Sequence, residues 1–138
     1  IMKIKNIFDI AGRAMAAQMV RLNTISSNLA NAGATTGDPE TVYKPLKPEF
    51  KTQYSENVKK NGISTVNVSK VVELQKEPFK IFDPNHPLAD GDGYIYKAPI
   101  NVEEEMVDMM DASRQYQNNI EVVTTLKALT LKTINIGK

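Results

Sequence analysis

Apolar side chains recur at alternating steps of four and three near both ends of this chain, and not in between. The first run is Ile4, Phe8, Ala11, Met15, Gln18, Leu22, Ile25 and Leu29. The second is Val102, Met106, Met109, Ser113, Tyr116, Ile120 and Val123. A further C-terminal run, Val122, Leu126, Leu129, Thr133 and Ile136, is displaced by one position, as a stutter displaces a heptad. A seven-residue repeat keeps one stripe of a helix facing a partner helix along its length. The pattern therefore predicts two long terminal helices made for assembly, flanking a segment of another kind.

Residues 3–32 are predicted to form one helix, being rich in Ala, Met, Leu, Arg and Gln. It should end near Asn31, Ala32 and Gly33, glycine being the usual residue just past a helix. Gly12, inside the helix, weakens it by about 1 kcal/mol relative to Ala, and close approach of a neighbouring backbone is the expected return. Three prolines and two glycines make residues 33–48 a loop. Residues 49–54 are predicted to be a short strand, followed by a turn at Asn61-Gly62. From Ile63 to Leu74 the residues alternate, with Ile63, Thr65 and Asn67 on one face and Ser64, Val66 and Val68 on the other. Lys80–Phe82 and Tyr94–Tyr96 are predicted short strands on either side of the turn-rich residues 83–93. Asn101 is placed to cap the last helix, with Glu103, Glu104 and Glu105 in its first turn, where the dipole favours acids. That helix should run to about Ile134 and stop near Gly137. The expected fold class is α+β, with residues 1–34 and 101–138 forming a helical unit and residues 35–100 a small β-rich middle domain.

With 138 residues, 41% of them hydrophobic, and no tryptophan, the chain can build a core but not a large one, nor a large aromatic pocket. The net charge of +1 provides no bulk attraction for nucleic acid or an anionic membrane. Its distribution is informative: residues 1–34 carry +3 and residues 101–138 carry −2, which favours pairing of the two helices. The absence of cysteine removes disulfides, thiolate nucleophiles and thiolate metal sites. No apolar run approaches the ~20 residues a membrane span needs. Asp9, Gly12 and Arg13 interrupt any signal-peptide core, so export, if it occurs, is expected without a cleaved signal.

Candidate chemistry is sparse. His86 is the only histidine, with Asp83, Asp90 and Asp92 as nearby partners; a histidine between turn prolines is the simpler reading. Asp90-Gly91-Asp92-Gly93 begins like a calcium loop but continues into Tyr94-Ile95-Tyr96, without the remaining oxygen ligands. Glu104, Asp108 and Asp111 share a helix face, yet no histidine accompanies them as di-metal bundles require, and solvation with dipole complementarity accounts for them. No catalytic, metal or cofactor site is expected. Asn23, Ser27, Asn28 and Asn31 gather in two turns beside the first apolar run, and side-chain amides of this kind can set the register between helices.

These residues also carry a resemblance. Ala17-Gln18, Arg21-Leu22-Asn23, Ile25 and Asn28-Leu29-Ala30-Asn31 resemble the N-terminal signature of the bacterial flagellar rod and hook proteins. Glu105–Met109, Ala112–Gln117 and Asn119 resemble the matching C-terminal signature. Asn6–Gly12, Asp83–Asp90 and Gly93-Tyr94 are similar to the proximal-rod branch of that family. The sequence departs from the common axial form after Asn31, reading Ala32-Gly33-Ala34-Thr35-Thr36-Gly37-Asp38, and residues 49–80 carry no family motif.

The resemblance implies a structural, non-enzymatic subunit whose terminal helices pair as an antiparallel coiled coil lining a hollow rod, with the middle segment outside. It implies a location in the periplasmic rod of the flagellar basal body. The implied partners are other copies of the chain, the rod proteins FlgB, FlgF and FlgG, the rod-base adaptor FliE and the flagellar type III export apparatus. Neither nucleic acid nor a membrane-spanning segment is implied. The expected assembly seam is Phe8, Met15, Leu22, Ile25 and Leu29 with Met106, Met109, Tyr116, Ile120 and Val123; Asn23, Asn28, Asn31 and Arg114 are the register and signature positions. The alternative is a coiled-coil adaptor or secretion-chaperone-like protein that forms a closed oligomer. A hairpin of two helices buries its seam on one side only, so the termini are expected to be largely disordered in the free subunit and to order on assembly.

Overall fold

The computed structural model describes residues 2–53 and 65–137. Helix α1 spans Met2–Asn31 and helix α2 spans Val102–Ile136, within two residues of the predicted limits at each end. The end of α1 tightens into turns: Ala32 N donates to Leu29 O and Ala34 N to Asn31 O, while the Asn31 side-chain amide returns to the Ser27 carbonyl at 2.8 Å. The predicted cap forms at α2, where Asn101 Oδ1 accepts from the backbone of Glu103 at 3.0 Å and of Glu104 at 3.3 Å. Two otherwise orphaned donors are thereby satisfied beside three acidic residues. At the far end Gly137 N closes on the Thr133 carbonyl.

Between the helices the described residues form five strands in two antiparallel sheets: β1 (Thr35–Thr36), β2 (Leu46–Gln53), β3 (Thr65–Glu73), β4 (Phe79–Phe82) and β5 (Tyr94–Lys97). A 3-10 turn, Pro39–Thr41, is capped by Asp38, whose carboxylate accepts from Glu40 N. One sheet has the order β1-β5-β4; the other is the β2-β3 pair. The residues read as a loop therefore hold a two-residue strand and the start of β2. β2 runs through Pro48, opposite Val71. Leu74 N donates to Pro45 O, so in the alternation of an antiparallel pair the Pro48 nitrogen points away from β3, where a missing N–H costs nothing. The register shifts between Glu49 and Phe50, and the simple two-face alternation expected for β3 is lost there: Asn67 and Val68 are both half-buried. Tyr54, the Asn61-Gly62 turn, Ile63 and Ser64 lie outside the described residues.

The β4–β5 connection depends on one glycine with a left-handed backbone. Gly93 has φ +84°, and a Cβ there would sit 3.1 Å from both the Phe82 ring and Pro84. At Gly37 a Cβ would collide with the Leu88 carbonyl, so the small residue lets this connection lie against the loop after β1. Gly12 shows no such approach: among the described residues nothing beyond its own helix turn lies within 4 Å of a Cβ placed on it.

α1 packs against α2 and against both strands of the β2–β3 pair. Where the helices meet the sheets, Ala32, Val42, Ala98 and Ile100 form a core with Tyr43 and Tyr96 against it. Elsewhere the buried hydrophobic positions are mostly small: Ala11, Ala17 and Ala112, with Ile25 and Ile95 the larger exceptions. Among the described residues no large side chain is fully buried. Large aliphatics contribute ~1.5–3 kcal/mol each on full burial, so this interior stabilises the lone chain weakly.

Candidate assembly surface

Asn28 is the centre of the junction between α1, β2 and α2, and is only 2% exposed. Its Nδ2 donates to the Leu46 carbonyl at 3.0 Å and to Glu105 Oε1 at 3.1 Å. Its Oδ1 accepts from Leu46 N at 2.8 Å and from the Tyr43 hydroxyl at 3.1 Å, and that hydroxyl also meets Ser27 Oγ at 2.9 Å. An amide has two donors and two acceptor sites, and all four are used here. Asn28 thus clamps the start of β2 to α1 as a strand neighbour would, and ties the first turn of α2 to both. Burial pushes the Glu105 carboxyl above its usual range; the Asn28 amide opposes the shift, Asp108 adds to it, Lys76 opposes it and Glu104 adds to it.

Further along, polar pairs continue between the helices. Arg21 donates to Asp111 Oδ2 at 2.9 Å and to Asp108 Oδ1 at 3.1 Å. Gln18 Nε2 donates to Gln115 Oε1 at 2.9 Å, and Gln115 Nε2 to Asp111 Oδ2 at 3.0 Å. Asp108 and Asp111, read from sequence as solvated acids, keep much of their exposure and also hold this arginine. The three-residue spacing of the acids was visible in sequence, but their partner was not. Tyr43, Leu46 and Glu105 left no sequence signal for the junction, because their roles depend on how the chain folds back.

Of the predicted seam, Ile25 is buried, and Phe8, Met15, Leu22, Leu29, Met109, Tyr116 and Val123 are half-buried. Met106 and Ile120 lie on the exposed side, at 54% and 40%. Among the less exposed positions of α2, Glu105, Met109, Ala112, Tyr116, Asn119, Val123, Leu126 and Thr130 still alternate by four and three, with Asp111 and Ser113 half-buried on either side of Ala112, and several are small or polar side chains that an apolar pattern misses. This single register continues where the sequence suggested a stutter. Of the signature residues, Asn28 is buried, Asn31 is half-buried, and Asn23 and Arg114 are exposed.

The turn-rich loop satisfies itself. Asp90 Oδ1 accepts from Tyr94 N and Asp92 N, and Oδ2 from the Tyr96 hydroxyl; the Tyr94 bond leads in holding this carboxyl below its ordinary value. His86 Nδ1 accepts from Leu88 N at 3.1 Å. Among the described residues, no helix is long and apolar enough to cross a membrane.

Large apolar side chains remain outside this framework. Val102, Met106, Val107 and Met110 are exposed on the first turns of α2, and Leu129, Leu131, Ile134 and Ile136 on its last.

Residues 8–37 match the family described as flagella basal body rod protein, and residues 92–136 match the flagellar basal body rod FlgEFG protein C-terminal family. The chain is 42% identical over 137 residues to the flagellar basal-body rod protein FlgC of Salmonella typhimurium, covering 99% of this chain and 100% of that protein. It is 41% identical to that of Escherichia coli and 39% identical to that of Yersinia enterocolitica, with the same coverage.

Proposed function

The chain belongs to the flagellar basal-body rod protein FlgC family, and from that premise we propose that it forms part of the proximal rod, the section of a hollow drive shaft that carries torque through the periplasm. It is a structural rod subunit of the flagellum. The observation that carries this reading is the likeness over the full length of the relatives, and the physical character of the chain agrees with it. Its interior is thin and its surface keeps rows of large apolar side chains, as expected of a part that neighbours complete.

The two helices pair as an antiparallel coiled coil. In support, the α1 partners Gln18, Arg21 and Asn28 ascend while their α2 partners Gln115, Asp111 and Glu105 descend. Residues 1–34 and 101–138 form the helical unit, and residues 35–100 the outer domain. Phe8, Met15, Leu22, Ile25, Leu29, Met106, Met109, Tyr116, Ile120 and Val123 hold the helices to each other and to neighbouring subunits. Further copies, FlgB, FlgF, FlgG and FliE are the neighbours, and the subunit reaches them through the type III export apparatus without signal cleavage. The outer ends of the helices order fully only in the assembly.

The test is Leu29→Asp or Met109→Asp in a motile cell. Either should block rod assembly and swimming while the subunit is still exported. Normal swimming by both variants would overturn the seam, and a closed dimer independent of concentration would overturn the rod reading.

A further inference from the structure

We infer that the open edge of β4 pairs with the same edge of a second copy of this chain, in one antiparallel register centred on Ile81, so that free subunits join as a two-fold dimer. The contact uses neither terminal helix and goes beyond the rod-subunit reading.

β4 is the last strand of the β1-β5-β4 sheet, and among the described residues no strand pairs with its outer side. The ladder to β5 decides which backbone groups point outward. Phe79 lies opposite Lys97 and Phe82 opposite Tyr94. One step further in that register Asp83 meets Gly93, and Asp83 N donates to Gly93 O at 3.0 Å. Bonded positions alternate along an antiparallel strand. Phe79, Ile81 and Asp83 therefore turn their backbone groups toward β5, and Lys80 and Phe82 turn theirs to the open side. The next positions of that parity are Pro78 and Pro84, which have no N–H to offer. The donating edge is thus limited to two residues between two prolines. Its side chains do not shield it, since Phe79, Ile81 and Phe82 are all exposed, Phe82 at 64%. An uncovered apolar edge is a template for another strand.

The stretch Pro78-Phe79-Lys80-Ile81-Phe82-Asp83-Pro84 presents the same order of open donors read from either end, with Ile81 at its middle. It therefore fits itself. Placing Ile81 opposite Ile81 of the second copy sets Lys80 against Phe82 and Phe82 against Lys80, and every open N–H and C=O of these residues finds its counterpart. Sliding by two residues is worse in either direction. One slide sets Lys80 against Lys80, like charges directly opposite; the other sets Lys80 against Pro84, which cannot donate in return. The side chains agree with the centred register. Lys80 Nζ lies over the Tyr94 ring at 4.0 Å, and the Phe82 ring meets Tyr94 edge-on at 5.2 Å, so both stand on one face of the sheet. Pairing brings the second copy's Phe82 ring beside Lys80 on that face, where a cation is attracted. Two strands this short make a small contact, which forms at high concentration and separates on dilution. A two-fold contact closes on itself, so it belongs to the free subunit and not to the repeating contacts of a rod.

The chain contains no cysteine, so one introduced thiol reports the contact. At the centre of the pair the two Ile81 Cα atoms would lie about 4.5 Å apart, as in a non-bonded antiparallel pair, and Ile81→Cys should give a disulfide-linked dimer under mild oxidation. Phe79→Cys stands on the same face two residues from the axis, which separates its two copies by about 14 Å, and it should stay monomeric. In the unaltered chain, hydrogen exchange at the Lys80 and Phe82 amides should slow several-fold from micromolar to millimolar protein, while Ile81, bonded to β5, stays unchanged. Equal dimer from both cysteine variants, or none from Ile81→Cys with its thiol titratable and its circular dichroism unaltered, would overturn the contact. Exchange at Lys80 and Phe82 that ignores concentration would overturn it as well. Each of these results leaves the rod reading intact, whereas absence of the chain from purified basal bodies would overturn that reading.

Discussion

The junction around Asn28 and the last third of α2 are built on opposite terms. At the junction one amide uses its four hydrogen-bonding positions on three elements, beside a compact cluster of Ala32, Val42, Ala98 and Ile100. In the last third of α2, Leu126 and Thr130 are half-buried, while Leu129, Leu131, Ile134 and Ile136 face outward, the last at 85% exposure. Both regions are helical, but the junction is satisfied within the chain and the far end is not. Helical propensity decides neither difference, since most helix stability in proteins comes from packing.

The strongest way to break this contrast is Asn28→Leu. It leaves the amide and carbonyl of Leu46 buried without partners and strips Glu105 of its donor, at roughly 1–3 kcal/mol per orphaned group. A loss of about 3 kcal/mol or more in denaturant unfolding is expected, with hydrogen-exchange protection falling first around β2. A loss below about 0.5 kcal/mol would mean that the junction is not the centre of stability.

A smaller effect should come from Glu105→Gln, which keeps an acceptor for Asn28 and removes the buried charge. The Glu105 carboxyl is raised above its ordinary value of 4.5, so the folded state takes up the proton more readily than the unfolded chain. Its contribution is fully present below that value and is lost as pH rises through the folded pKa. The variant should therefore be at least as stable as the parent at pH 7, and should lack this part of the decline in stability above the ordinary carboxylate range. Asp90 works in the opposite sense, because its pKa is lowered: its contribution is present above 3.8 and fades as pH falls through the folded value. Identical pH profiles for parent and Glu105→Gln would remove Glu105 from the account.

The smallest effect on the free subunit is expected from Leu131→Asp. That side chain is exposed, and surface changes of this kind usually stay within about 0.5 kcal/mol. Incorporation into basal bodies should nevertheless drop sharply, because the charge must be buried against a neighbour. Normal incorporation would place the far end of α2 outside the assembled contacts.

Much of the architecture could be read along the chain. Heptad spacing located both helices, Asn101 with its following acids marked the start of α2, and Gly137 marked its end, because caps and periodicity are local. Tyr94-Ile95-Tyr96 and Lys80-Ile81-Phe82 were legible as strands for the same reason. The burial of individual helix positions was legible only in part. Apolar spacing pointed to Ile25, Met109, Tyr116 and Val123, and not to Glu105, Ala112 and Asn119, while Met106 and Ile120 stay exposed in the single chain.

What the sequence determined by itself was therefore the kind of element at each place and the presence of two faces that need partners. Only the tertiary structure decided which side of α2 meets α1, that Asn28 stands in for a strand against Leu46, and that Arg21 gathers Asp108 and Asp111. The physical reason is range. Capping, helical period and turn chemistry act over a few residues, whereas satisfying a buried amide or an ion pair joins groups 15 to 90 positions apart, and their match exists only once the chain has folded.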